Sequence, residues 1–115
     1  MHLVTVRGRR SGKEYSTPFW LLELPDGRYW VSVFGETNTV KNARAAGHVT
    51  VSRGATRDEV RLLEVPVESR LPFLHEYLAS NKSSMVRTYF ATPESSDDEL
   101  QALAPEHPVF KLEPV

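Results

Sequence analysis

The chain has 115 residues, a quarter of them charged, and a net charge of −1, which gives room for one domain with one core, here residues 1–115, and argues against a general nucleic-acid binder. It contains no cysteine and four scattered histidines, so a disulfide framework, a thiol nucleophile and a zinc site are set aside. No apolar run is long enough to cross a bilayer and no signal peptide precedes the first strand-like residues, so a cytoplasmic protein is expected.

In chain order, Leu3 to Arg7 reads as a short strand and Tyr15 to Leu24 as a longer one. The second becomes apolar on both faces after Pro18 (Phe19, Trp20, Leu21, Leu22), as a strand entering a closed or well-covered sheet does. Pro25-Asp26-Gly27 is a turn signal, and Arg28 to Phe34 returns as a third strand with Tyr29, Val31 and Val33 opposite Trp30, Ser32 and Phe34.

After Gly35 the period changes. Asn38 is placed to cap a short helix carrying Val40, Ala43 and Ala46, with Gly47 as its left-handed end. Strands over His48 to Ser52 and Arg57 to Val65 flank an Arg53-Gly54 turn. Beyond Pro66, Ser69 is the expected cap of a helix with Leu71, Leu74 and Leu78 on one face and Phe73 and Tyr77 beside them; Asn81 to Ser84 breaks it. Ser96 and Glu99 form a capping box for a helix through Leu100 and Leu103 that Pro105 stops, and Val109 to Leu112 is a last strand. Strands around one short helix suggest a barrel.

The stretch between the first two strands carries the chemistry. Gly8 and Gly12 bound a turn in which Arg9, Arg10, Lys13 and the Ser11 hydroxyl supply charge and donors, an arrangement suited to a phosphate-bearing ligand. The same residues also make an ordinary solvated hairpin turn, and local physics leaves both readings open. Lys41 and Arg44 on the short helix either close the same groove or lie on an exposed face. Phe19 and Trp20 read first as core, with one of the pair doubling as a ligand wall.

Gly8-Arg9-Arg10-Ser11-Gly12 followed by Thr17-Pro18-Phe19-Trp20 resembles the signature of the deazaflavin-dependent nitroreductases, small actinobacterial proteins that use coenzyme F420. Gly35-Glu36 with Val40-Lys41-Asn42-Ala43-Arg44-Ala45-Ala46-Gly47 is similar to that family's next segment, and Ala104 to Leu112 looks like its closing strand. The order and spacing of the three segments carry the likeness, which covers nearly the whole chain.

The resemblance implies a split β-barrel of five or six mainly antiparallel strands with peripheral helices. It also implies an F420-dependent oxidoreductase that passes hydride to a small quinone, nitro or enone acceptor. Arg9, Arg10, Ser11, Gly12 and Lys13 would hold the anionic arm of the cofactor, with Lys41, Asn42 and Arg44 across the groove. Pro18 and Trp20 would line the ring, while Ser32, Phe34 and Gly35 contact it from the third strand's end. Tyr77 and Tyr89 would orient the acceptor, Tyr89 from a weakly structured stretch; His107 is assigned to a turn.

The chain departs from the family pattern at Thr39, where many relatives carry a tryptophan, which removes an aromatic contact expected beside the cofactor. Family members often carry an extra N-terminal segment, sometimes linked with membrane association, ahead of the residue at which this sequence begins. The alternatives are an oxidoreductase using flavin mononucleotide (FMN), like the pyridoxamine-phosphate-oxidase-type split barrels, and a non-catalytic cofactor-binding protein. Exposed strand edges favour a homodimer.

Overall fold

The computed structural model describes residues 1–115. Seven strands form one sheet: β1 (His2–Arg7), β2 (Glu14–Phe19), β3 (Leu22–Leu24), β4 (Gly27–Val31), β5 (His48–Arg53), β6 (Thr56–Glu64) and β7 (Val109–Pro114). Their order is β2-β1-β5-β6-β7-β4-β3, and every neighbouring pair is antiparallel. Four helices accompany them: α1 (Asn38–Ala46), α2 (Leu71–Ser80), α3 (Ser84–Tyr89) and α4 (Asp97–Leu103).

The connectivity forces the sheet to close. β2 and β3 lie at opposite edges, yet only Trp20 and Leu21 join them. Seven flat strands would put those edges roughly 29 Å apart at about 4.8 Å per strand, whereas Phe19 to Leu22 spans at most about 11 Å. The sheet therefore curls until its edges approach, which is the split β-barrel expected from the sequence. It has one strand more than expected because the apolar run from Tyr15 to Leu24 breaks at Trp20-Leu21 to change edges. Pro18 sits on the edge strand β2, where its missing N–H is tolerated.

Two apolar clusters hold the fold. Inside the barrel, Val4, Val6, Val49, Val51 and Val60 pack on Trp30, Phe110 and Leu112, and α1 covers them with Val40 and Ala43. Outside it, Tyr29, Val31 and Val109 pack against Leu74, Tyr77 and Leu78 of α2, Val86 of α3 and Leu100 of α4. Strand β4 thus buries both faces, with Tyr29 and Val31 outward and Trp30 inward.

Several local expectations shift by a residue or a turn. The third strand ends at Val31 rather than Phe34, because the Ser32 hydroxyl donates to the Gly35 carbonyl at 2.6 Å and closes a turn in which Gly35 has φ 83°. Thr37, not Asn38, caps α1 by accepting from the Val40 N–H. Ser69 lies in a 3-10 turn and does not cap α2; the cap position belongs to Arg70, whose buried guanidinium donates to the Val65 and Ala104 carbonyls and to Glu64. Helix α3 was not expected: Ser83 restarts the chain as a helix directly after the break at Asn81, so Tyr89 ends a helix rather than lying in loose chain. The Ser96/Glu99 capping box opens α4 as expected.

Candidate functional site

The turn between β1 and β2 is built before any ligand arrives. The Gly8 N–H donates to the Lys13 carbonyl at 2.7 Å and the Gly12 N–H to the Gly8 carbonyl at 3.0 Å, with Gly12 at φ 73°, where a β-carbon would be strained. Ser11 Oγ accepts from the Lys13 N–H. Asn42 of α1 ties the turn down: its Oδ1 accepts from the Arg9 backbone N–H at 3.1 Å and from Arg9 Nη1 at 2.6 Å.

Above this turn lies a chamber of about 490 Å³, lined by Gly8, Arg9, Arg10, Ser11, Tyr15 and Thr17 on one side and by Asn38, Thr39 and Asn42 of α1 on the other. No side chain of the fold is bonded to the Arg10 guanidinium. Positive charge and unspent donors therefore face the cavity.

A second chamber, about 420 Å³, is mainly apolar. Pro18, Phe19 and Trp20 form one wall, Val31 to Phe34 the floor, and Tyr77, Asn81, Ser83, Met85 and Val86 of the α2–α3 corner the opposite wall. Thr17 and Thr39 line both chambers. The basic and the apolar cavities lie side by side, with these two residues in the lining of each.

Phe34 is a partition. Its ring meets the Tyr89 ring at 5.2 Å between centroids, and beyond it a third cavity of about 460 Å³ is bordered by Gly35, Glu36, Glu106 and His107. Tyr89 belongs to that third cavity and Tyr77 to the second, so the two tyrosines do not converge on one point.

The expected residues divide accordingly. Arg9, Arg10, Ser11 and Asn42 border the basic chamber, and Pro18, Trp20, Ser32 and Phe34 border the apolar one. Gly12 and Lys13 shape the turn from outside the cavity, and Lys41 is exposed on α1 away from it. Gly35 closes the loop beneath Phe34. Its position allows no β-carbon without a 3.0 Å contact to the Glu106 carbonyl.

Arg44 is drawn elsewhere. It binds both oxygens of Glu36 at 2.9 and 3.0 Å and both oxygens of Glu64, and Arg70 joins the same Glu64. The paired Arg44 guanidinium holds the Glu36 carboxyl below the usual carboxylate range. The structure does not bring Arg44 to either chamber.

Of the pair expected as core with one member doubling as a ligand wall, Trp20 is the wall. It is 40% exposed and walls the apolar chamber, while Phe19 beside it leans inward on Trp30 at 5.1 Å. Trp30 is the buried indole. Tyr77 is core and chamber wall at once, and its phenol is pushed up by burial. His107 serves structure: it is buried, hydrogen-bonded through Nδ1 to the Ser32 carbonyl and stacked on Phe90. Ser32, with its side chain and carbonyl both engaged, fixes the loop that carries Phe34.

Sequence reading missed Tyr15 and Thr17, which share one face of β2, as lining residues. It also missed Asn81, Ser83 and Met85. Nothing local marks them, since the α2–α3 corner reaches the barrel only through tertiary packing. No helix is long and apolar enough to cross a membrane.

No protein-family model matches the chain, and no curated protein matches its sequence. Solved structures do match the fold. A protein of unknown function from Agrobacterium tumefaciens superposes with a TM-score of 0.68 at 15% identity over 98% of this chain and 47% of its own, so the present chain spans about half the length of that protein. A FAD-binding protein from Mesorhizobium loti gives 0.62 at 17% identity over 99% of this chain and 80% of its own. An F420 reductase gives 0.55 at 13% identity over 99% and 85%. At these identities the likeness concerns architecture: the chain is a split β-barrel, a fold shared with proteins that bind flavin and deazaflavin cofactors.

Proposed function

We propose that this protein is a deazaflavin-dependent oxidoreductase, which holds coenzyme F420 across the two neighbouring chambers and serves hydride transfer to a small quinone, nitro or enone acceptor. The observation that carries the reading is the pair of neighbouring cavities that share Thr17 and Thr39. A cofactor with an anionic arm and a flat ring needs a polar, cationic cavity beside an apolar one, and two neighbouring cavities of that character support the reading.

The residues present fit such a ligand. Arg10 and the Ser11 hydroxyl would hold the anionic arm, with Arg9 placed by Asn42, and Pro18 and Trp20 would hold the ring. When bound, the deazaflavin supplies the hydride. The chain supplies alignment, exclusion of water by the apolar walls and a neutral phenol at Tyr77 to orient an acceptor oxygen; an acid–base dyad is not required for that work. The exposed edge strand β2 supports a homodimer as the working assembly.

FMN is the competing ligand, because one phosphate and one flavin ring would use the same two chambers. Titration with oxidised coenzyme F420 and, in parallel, FMN, followed by fluorescence, separates them. Tighter binding of F420 is expected, weakening with added salt because the arm contacts are exposed and screened over a Debye length of about 8 Å at physiological ionic strength. Equal or tighter binding of FMN overturns the assignment. Tight F420 binding without reduction of any quinone or nitro compound would select a non-catalytic binding protein.

A further inference from the structure

The end of the apolar chamber at the α2–α3 corner contains a directed chain of hydrogen bonds. The Ser83 N–H donates to Asn81 Oδ1 at 3.2 Å, which fixes the orientation of the Asn81 amide. Its other end, Nδ2, then donates to Tyr77 Oη at 3.1 Å. The Asn81 backbone N–H donates to the Tyr77 carbonyl at 2.9 Å, so the end of helix α2 holds the two residues in register. Tyr77 itself is 4% exposed and its ring packs against Phe90.

A phenol has one proton to give. Because the Asn81 amide group offers Tyr77 only a donor, the phenolic proton must point away from Asn81, and no group of the fold accepts it. Tyr77, Asn81 and Ser83 all line the chamber. A hydroxyl so placed keeps one donor for an oxygen that enters the cavity.

We infer that Asn81 is a positioning residue that makes the Tyr77 hydroxyl a one-way hydrogen-bond donor, so that the helical wall of the chamber selects neutral ring compounds by an unprotonated carbonyl, quinone or nitro oxygen. The inference deepens the proposed function and rests on reading this chamber as the place of the acceptor. Burial, which pushes the Tyr77 phenol up, keeps the donor protonated at neutral pH. An aspartate at position 81 would present a second acceptor and turn the proton inward, away from the ligand.

The test measures binding of menadione, with naphthalene as the ring that lacks oxygen, to coenzyme-free protein by quenching of intrinsic fluorescence. Asn81→Asp and Tyr77→Phe are each expected to weaken menadione roughly fivefold, the value of one net hydrogen bond, while naphthalene affinity stays unchanged. The double variant should lose no more than either single one. A merely structural Asn81 would instead weaken both ligands alike. Wild-type menadione affinity in Asn81→Asp, equal losses for the two ligands, or no menadione binding at all overturns the inference. If Asn81→Asp does not fold, Tyr77→Phe decides alone, and unchanged menadione affinity in it is equally fatal. Since no coenzyme is present, a failure of F420 binding counts against the proposed function and leaves this result standing.

Discussion

Arg10 and Asn42 border the same chamber but should respond differently to truncation. Arg10 makes no hydrogen bond within the fold, so Arg10→Ala removes only what its guanidinium would give a ligand. A charge-assisted hydrogen bond contributes roughly 1.5 to 3 kcal/mol, and at this exposed turn the lower end applies, which corresponds to about tenfold in dissociation constant. Melting temperature should not move. Asn42→Ala instead deletes an acceptor for two N–H groups of Arg9, at 3.1 and 2.6 Å, both exposed to solvent. Their joint loss should cost about 1 to 2 kcal/mol, a shift of several degrees in a domain of this size, and free the turn so that affinity falls as well. Thermal melts and F420 titrations on both variants give a two-by-two outcome. An Arg10→Ala protein that binds normally refutes the arm-binding role of the turn, and an Asn42→Ala protein unchanged in both measurements refutes the claim that α1 holds it.

Other substitutions test the packing and the ion cluster. Trp30→Ala should cost about 3 to 5 kcal/mol in urea unfolding, because the ring is 1% exposed between Phe19 and Phe110. Trp30→Phe should be nearly neutral: losing two ring carbons costs about 1.6 kcal/mol, but the substitution also removes a buried Nε1 donor that has no partner, a relief of about 1 to 3 kcal/mol. A Trp30→Phe loss above about 2 kcal/mol would mean the indole N–H is satisfied. Trp20→Ala, at a ring 40% exposed, should cost less than half as much as Trp30→Ala and reduce coenzyme binding, as paired unfolding and titration would reveal. For Glu36, a folded pKa depressed by Arg44 stabilises the protein above the unfolded value near pH 4.5 and stops doing so as pH falls through the lower folded value. Glu36→Gln should therefore be less stable than the parent at pH 6 by about 0.5 kcal/mol, a small figure because solvent screens the half-exposed pair, with the gap closing in acid. Melting curves across that range check it, and a gap constant with pH would show that the ion pair is not its source.

Much of the fold was legible because it is written in local chemistry. The Pro25–Gly27 turn, the Gly47 helix end and the Ser96/Glu99 capping box each act within a few residues, and each appears where the sequence puts it. What failed to show was set at longer range. The break at Trp20-Leu21 is invisible in a continuously apolar run, because both neighbouring strands are covered and no alternation marks the change of edge. Trp20 and Trp30 could not be ranked for burial for the same reason: β4 buries both of its faces, whereas the β2–β3 link leaves an indole at a cavity mouth. Helix α3 is only six residues long, too short for an apolar period, and exists because Val86 finds the outer core. The resemblance puts Arg44 beside the ligand, and nothing local corrects it, because its partners Glu36 and Glu64 come from separate elements that only the folded chain brings together.

Those displaced expectations point to helix α1 as the element that couples the halves of the site. Its cap, Thr37, borders the apolar chamber, its first turn gives Thr39 to the lining of both chambers, and its middle gives Asn42 to the basic turn. Its last turn is held by Arg44 to Glu36 in the loop after Phe34 and to Glu64 of β6. A ligand bridging both chambers would therefore rest against one short helix fixed at both ends. Thr39 takes on a different meaning in this setting. The departure that removes an aromatic contact puts a small β-branched side chain in the lining of both cavities, where a single ligand spanning them would have to pass. The residues around the two cavities offer donors, walls and a neutral phenol, but no nucleophile and no acid–base pair. Such a set can bind, orient and exclude water, which is the part of hydride transfer that falls to a protein when a cofactor carries the electrons.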